Sequence, residues 1–149
     1  MQPLRNRQLT PSPRALQVSE GQWGFWDAAI YNAANGGPLS GAAGRVFSSN
    51  VTMAELRQRW MYIVSRWAHS TSIFSWELQN EAEDWPGGYD GDALAASFEF
   101  SALLQANDPY RHLIDNSFGG VGGGAGPIHA WETSPFAAFT SVHACVFQL

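Results

Sequence analysis

The sequence is short of cations, of cysteine and of long apolar runs, and each shortage closes a class of function. Eight Lys and Arg stand against thirteen Asp and Glu, a formal net charge of -5. That balance argues against nucleic-acid binding, which needs a basic stripe. Cys145 is the single cysteine, so neither an internal disulfide nor a Cys-rich metal site is open to the chain. The four His are scattered, without HExxH spacing, so no metal and no cofactor is expected. No apolar run reaches the length of a membrane span. Residues 1–20, MQPLRNRQLTPSPRALQVSE, are basic but hold no apolar segment. They do not read as a signal peptide; they read as a poorly ordered tail outside the fold.

What remains is apolar and rich in tryptophan. The 149 residues suit one domain with a real core, and a chain 45% hydrophobic and 14% charged is not a disordered tail. Seven Trp are many for this length. Such rings fill cores or grip flat apolar faces such as those of sugars.

The domain therefore occupies residues 21–149. Its first part holds YNAANGGPLSG, where Gly36, Gly37 and Pro38 mark tight turns. Trp23, Trp26 and Tyr31 lie in the same stretch, so this loop either packs on the core or forms a wall of a binding site. Thr52 and Glu55 have capping-box spacing. Leu56, Trp60, Ile63, Val64 and Trp67 then recur at helical period, which predicts a helix from about Thr52 to Ala68 with Trp60 and Trp67 on its core face. SIFSWEL (72–78) reads as a strand buried on both faces. Asp92–Asn107 reads as a second helix behind an Asp cap, at Asp90 or Asp92. HLIDNSF (112–118) and FAAFTSVHACVF (136–147) read as strands, with GGVGGGAG (119–126) as a flexible loop between them. It lacks the GxxxxGK[ST] pattern of a phosphate loop.

Strands alternating with helices imply a parallel sheet and an α/β fold. In such folds working residues gather at the carboxyl ends of strands. Asn80 and Glu81 fall there, after SIFSWEL, with Glu83, Asp84 and Trp85 just beyond. Strict two-residue alternation puts Glu77, Gln79 and Glu81 on one side, and a bulge would break that parity.

Here the sequence resembles a known family. WELQNE at a strand end looks like the Asn-Glu motif of strand four in clan A glycoside hydrolases. The run RQRWMYIVSRWAHSTSIFSWELQNEAE is similar to cellulase and β-mannanase-like members of glycoside hydrolase family 5. YNAANGGPL resembles their loop after strand three, NDPYRHLIDNSFG the approach to strand five, and FTSVHA the start of strand six. The resemblance covers residues 22 to 144 and implies a partial (β/α)8 TIM barrel, roughly strands three or four to six with their helices. It implies a retaining glycosidase acting on β-linked glucan or mannan, with carbohydrate as partner and no cofactor. Members of the family are often secreted. Glu81 would be the general acid/base, Asn80 would bind the sugar 2-hydroxyl, and His143 would lie at the sugar-facing end of strand six. From the residues themselves, Trp26 and Tyr31 are candidate subsite walls, with loop-core packing as the alternative, and Trp85 either stacks on a sugar or caps the barrel mouth. Arg111 and His112 would anchor the turn before strand five.

The departures carry weight too. A retaining glycosidase needs a second carboxyl about 5–5.5 Å from the first, in this family a Glu at the end of strand seven. No Asp or Glu follows Glu132 in the chain, and neither Glu132 nor Glu83 sits at a matched strand end. Cys145 stands where the family tends to have an aromatic residue. The expectation is that the isolated chain is inactive. The rival expectations are a glycan-binding remnant without chemistry and a non-functional gene fragment.

Overall fold

A computed structural model describes residues 25–41, 43–81, 92–119 and 125–143. Three parallel strands form its centre: β1 (Ser75–Glu77), β2 (Leu113–Phe118) and β3 (Phe139–Val142), in spatial order β1-β2-β3. Helix α1 (Asn50–Trp67) precedes β1, α2 (Asp92–Asn107) joins β1 to β2, and α3 (Ala125–Glu132) joins β2 to β3. The protein is a mixed α/β fold. The expected α2 and β2 are found, while β1 and β3 are shorter than expected. Residues 144–147, which end the expected third strand, lie outside the described residues, as does Asp90.

Parallel register gives the sheet two unlike faces. Trp76 pairs with Ile114, and both join Phe118 in the hydrophobic core beneath α1 and α2. From α1 this core takes Met53, Leu56, Trp60, Ile63 and Val64, at helical spacing; from α2 it takes Ala93, Ala96, Phe100 and Leu104. Small residues allow α2 to approach closely, and its buried Ser97 and Ser101 donate to the carbonyls of Ala93 and Ser97. Back-bonding of this kind satisfies a hydroxyl without a partner outside the helix.

Three expectations about helices need correction. Thr52 is not a cap. It lies inside α1, and its hydroxyl donates back to the carbonyls of Val46 (2.6 Å) and Ser49 (3.1 Å). The helix starts at Asn50 because the turn before it ends there; Ser49 is the N-cap and makes no side-chain cap bond. Trp67 is not core but 38% exposed, with its ring edge-on to Tyr62 on the solvent side. Helix α3 replaces part of the expected flexible loop. Its fully buried Trp131 stacks on Phe98, and the indole N–H donates to the Phe139 carbonyl.

The loop of residues 25–46 packs on the core through three short 3-10 turns, Phe25–Ala28, Ala33–Asn35 and Ala43–Val46. Asn32 caps the second through Ala34 N–H. At Gly37 a Cβ would come within 2.3 Å of the Ile30 carbonyl, so only glycine fits there.

Beneath β1 and β2, Trp76 meets Trp60 edge-on at 6.4 Å. Its indole N–H donates to Asp108 Oδ2 at 2.8 Å. The same carboxylate accepts from the backbone N–H groups of Tyr110 and His112 and meets His112 Nδ1 at 2.7 Å. Burial pushes the Asp108 carboxyl up, but these donors outweigh it and hold the carboxyl below its ordinary value. Replacing Trp76 by Phe keeps an aromatic ring, removes one donor to a buried carboxylate and leaves a small gap where the indole was. Stability is expected to fall by about 1–3 kcal/mol, measured by urea unfolding; an unchanged midpoint would mean that this bond contributes nothing.

Candidate functional site

The second face of the sheet is polar. Ser75 and Glu77 of β1, Asp115 and Ser117 of β2, and Ser141 of β3 share it by register and alternation. The first four are buried. Asp115 accepts from Ser141 Oγ at 3.0 Å and from the Ser75 hydroxyl. Glu77, its neighbour across the strands, is also buried, and Glu77 Oε1 and Asp115 Oδ1 have no hydrogen-bond partner among the described residues. Burial pushes the Asp115 carboxyl up to about 6, and the charge of Glu77 adds to the rise.

At the carboxyl end of this face β1 takes an extra residue. Leu78 N–H bonds Asp115 O as the register requires. The next bond in a regular parallel ladder would run from Ser117 N–H to Leu78 O. It runs instead to Gln79 O, at 3.2 Å. This is a β-bulge. Gln79 is therefore not on the side of Glu77 and Glu81: it turns toward α2, and its Nε2 donates to the Ala93 carbonyl. The expected alternation fails at that residue, and the bulge re-aims Asn80 and Glu81.

Glu81 comes just after the bulge with φ 43°, a left-handed conformation that non-glycine residues rarely hold. Its N–H donates to Ser117 Oγ at 3.2 Å. The same hydroxyl lies 3.4 Å from both Gln79 O and Asn80 Oδ1. His143 immediately succeeds β3, and its N–H donates to Phe118 O at 2.8 Å. Consecutive residues of the central strand thus fix both neighbours. The result is a close pair, His143 Nδ1 and Glu81 Oε1 at 2.6 Å, with side chains 28% and 12% exposed. One proton lies between them: on Nδ1 if Glu81 is ionised, on Glu81 if it is not.

Of the expected site residues, the structure brings together Asn80, Glu81 and His143. Tyr31 is 2% exposed and belongs to the core, so it is corrected from subsite wall to packing residue: the loop needs an apolar anchor. Trp26 is half-buried against the same core, its indole N–H donating to Gly41 O. Trp85, Trp23, Glu83 and Asp84 lie outside the described residues. Glu132 is exposed at the end of α3, away from any strand end. Ser117 and Asp115 are site residues that the sequence reading misses. An aspartate inside a strand expected to be buried is a usable signal for Asp115; nothing marks Ser117. Among the described residues no group of three or more His, Cys, Asp or Glu could hold a metal ion, and no helix is long and apolar enough to cross a membrane.

No protein-family model matches the chain, and no curated protein sequence matches it.

The raised Asp115 value has a consequence for stability. The native state holds this proton more tightly than the unfolded chain, whose Asp titrates near 4. The contribution is fully present below about pH 4 and is lost as pH rises through about 6. Asp115→Asn removes it. Urea midpoints of the two proteins are expected to diverge with rising pH across that window, the wild type losing stability relative to the variant. Parallel curves would show that Asp115 titrates normally.

Proposed function

We propose that Glu81, His143 and Asn80 form the acid/base half of a retaining β-glycosidase site. In this reading the three strands correspond to strands four to six of a (β/α)8 barrel like that of glycoside hydrolase family 5. The substrate class is β-linked glucan or mannan. The single observation that supports it most is the 2.6 Å pair. Glu81 and His143 are 62 residues apart in sequence. The resemblance assigns each of them to a sugar-facing strand end, and they meet.

The chemistry rests on that geometry. Protonated Glu81 donates to the glycosidic oxygen while the C1–O bond breaks, and in the second step the carboxylate takes a proton from water. His143 Nδ1 orients that carboxyl and holds the proton within reach. Asn80, beside it, offers an amide to the 2-hydroxyl. Ser117 keeps the strand end in its left-handed turn. Among the described residues no second carboxylate stands at a strand end beside Glu81: Glu77 and Asp115 lie deeper along the strands.

An external nucleophile tests this directly. With phenyl β-cellobioside or β-mannobioside alone, whose basic leaving group needs a proton, the 149-residue chain is expected to release no phenol. With azide, the C1–N bond forms, the C1–O bond breaks, and the Glu81 proton goes to the departing phenolate. Glu81→Gln is expected to slow that release roughly a hundredfold. Azide-dependent release that Glu81→Gln leaves unchanged would contradict the acid/base role. Saturable binding of cello- or manno-oligosaccharides with no azide-dependent release would favour a glycan-binding remnant.

A further inference from the structure

A second site lies at the other end of the sheet. A cavity of about 560 Å³ opens between the end of α2, the start of β2 and the loop before β3. Its size is that of a small-molecule pocket. It is separated from Glu81 and His143 by the length of β2, roughly 17 Å at the usual rise per residue. Leu104, Leu113, Ile114 and Phe136 give it apolar walls, and Arg111 and His112 give it polar groups.

Three observations set these two residues apart. Arg111 stands at φ 55°, where glycine would sit without strain. Strain of this kind collects at functional positions. Among the described residues its guanidinium makes no hydrogen bond or ion pair. His112 is held by its Nδ1 against Asp108, which fixes the ring and leaves Nε2 as its remaining nitrogen. The negative charge of Asp108 is engaged by Trp76 and by backbone N–H groups. The unpaired charge on the lining is therefore the cation of Arg111.

We propose that this cavity binds a small carboxylate with an apolar body, its anion on the Arg111 guanidinium and its body against Leu104, Ile114 and Phe136, beside the His112 ring. The planar guanidinium suits a carboxylate because two N–H groups meet two oxygens. The site is independent of the glycosidase reading and uses none of its residues.

Benzoate is the probe, and the His112 ring signals in NMR are the readout. Benzoate is expected to shift them saturably in the millimolar range. Benzyl alcohol, of the same shape without the charge, is expected to bind at least tenfold more weakly, and Arg111→Gln to lose roughly tenfold in benzoate affinity. Glu81→Gln should leave the titration unchanged. Arg111→Gly should weaken binding as Arg111→Gln does and raise Tm, because the left-handed strain is relieved while the ligand contact is lost. The proposal is overturned if benzoate produces no saturable shift, if benzyl alcohol binds equally well, or if Arg111→Gln binds as the wild type does. A lower Tm for Arg111→Gly would also overturn it, by showing that Arg111 is kept for the fold.

Discussion

The hydrogen bonds of Ser117 hold the polar end of the sheet together. Its N–H reaches past the regular partner to Gln79 O, and its hydroxyl accepts from Glu81 N–H. Those two bonds create the bulge and brace the left-handed turn at Glu81. Without the extra residue, strict alternation would put Gln79 on the polar face beside Glu77, and its amide would lose the Ala93 carbonyl. The next residue, Phe118, anchors His143 just past the other neighbouring strand. A central strand that grips both neighbours at adjacent positions is what makes the 2.6 Å pair geometrically fixed.

The sheet divides its labour by face. Trp76, Ile114 and Phe118 supply apolar area to α1 and α2. Ser75, Glu77, Asp115 and Ser117 bury polar groups on the other side. Polar burial is costly unless partners are found; here it is met in part by Ser–Asp hydrogen bonds, and it pushes the Asp115 carboxyl up to about 6. Such a face gains little stability from its own residues. Its residues are better explained by what they orient than by packing, and the packing strength resides in the Trp60–Trp76 layer on the other side.

Elements whose signal is local are legible in the sequence. Helix α2 is a sixteen-residue run without Gly or Pro that starts at an Asp, and β2, LIDNSF, is a short segment behind a DPYR turn. The start of α1 is misread because S/T-x-x-E looks the same whether the threonine caps the helix or bonds backward from inside it. Trp67 keeps the helical period, but the buried line of Trp60 and Val64 continues to Ala68 and leaves Trp67 at its edge. Helix α3 is eight residues long with a glycine run ahead of it and Pro127 inside it, so its burial of Trp131 has no periodic signature. The bulge is invisible for a different reason: it depends on whether the Leu78 or the Gln79 carbonyl meets Ser117, a contact between strands. Glu81 and Asn80 stand out by position alone, at the end of a strand in an α/β chain. Their meeting with His143 is foreseen only through family resemblance, since no spacing rule links residues so far apart.

The proposed role requires that the Glu81–His143 pair face a sugar. A crystal structure of the chain soaked with a cello- or manno-oligosaccharide tests it. The expected result is a glycosidic oxygen about 2.6–3.2 Å from the Glu81 carboxyl, with Asn80 on the neighbouring 2-hydroxyl. Sugar bound elsewhere on the surface, with Glu81 and His143 still closed on each other and untouched, would contradict it.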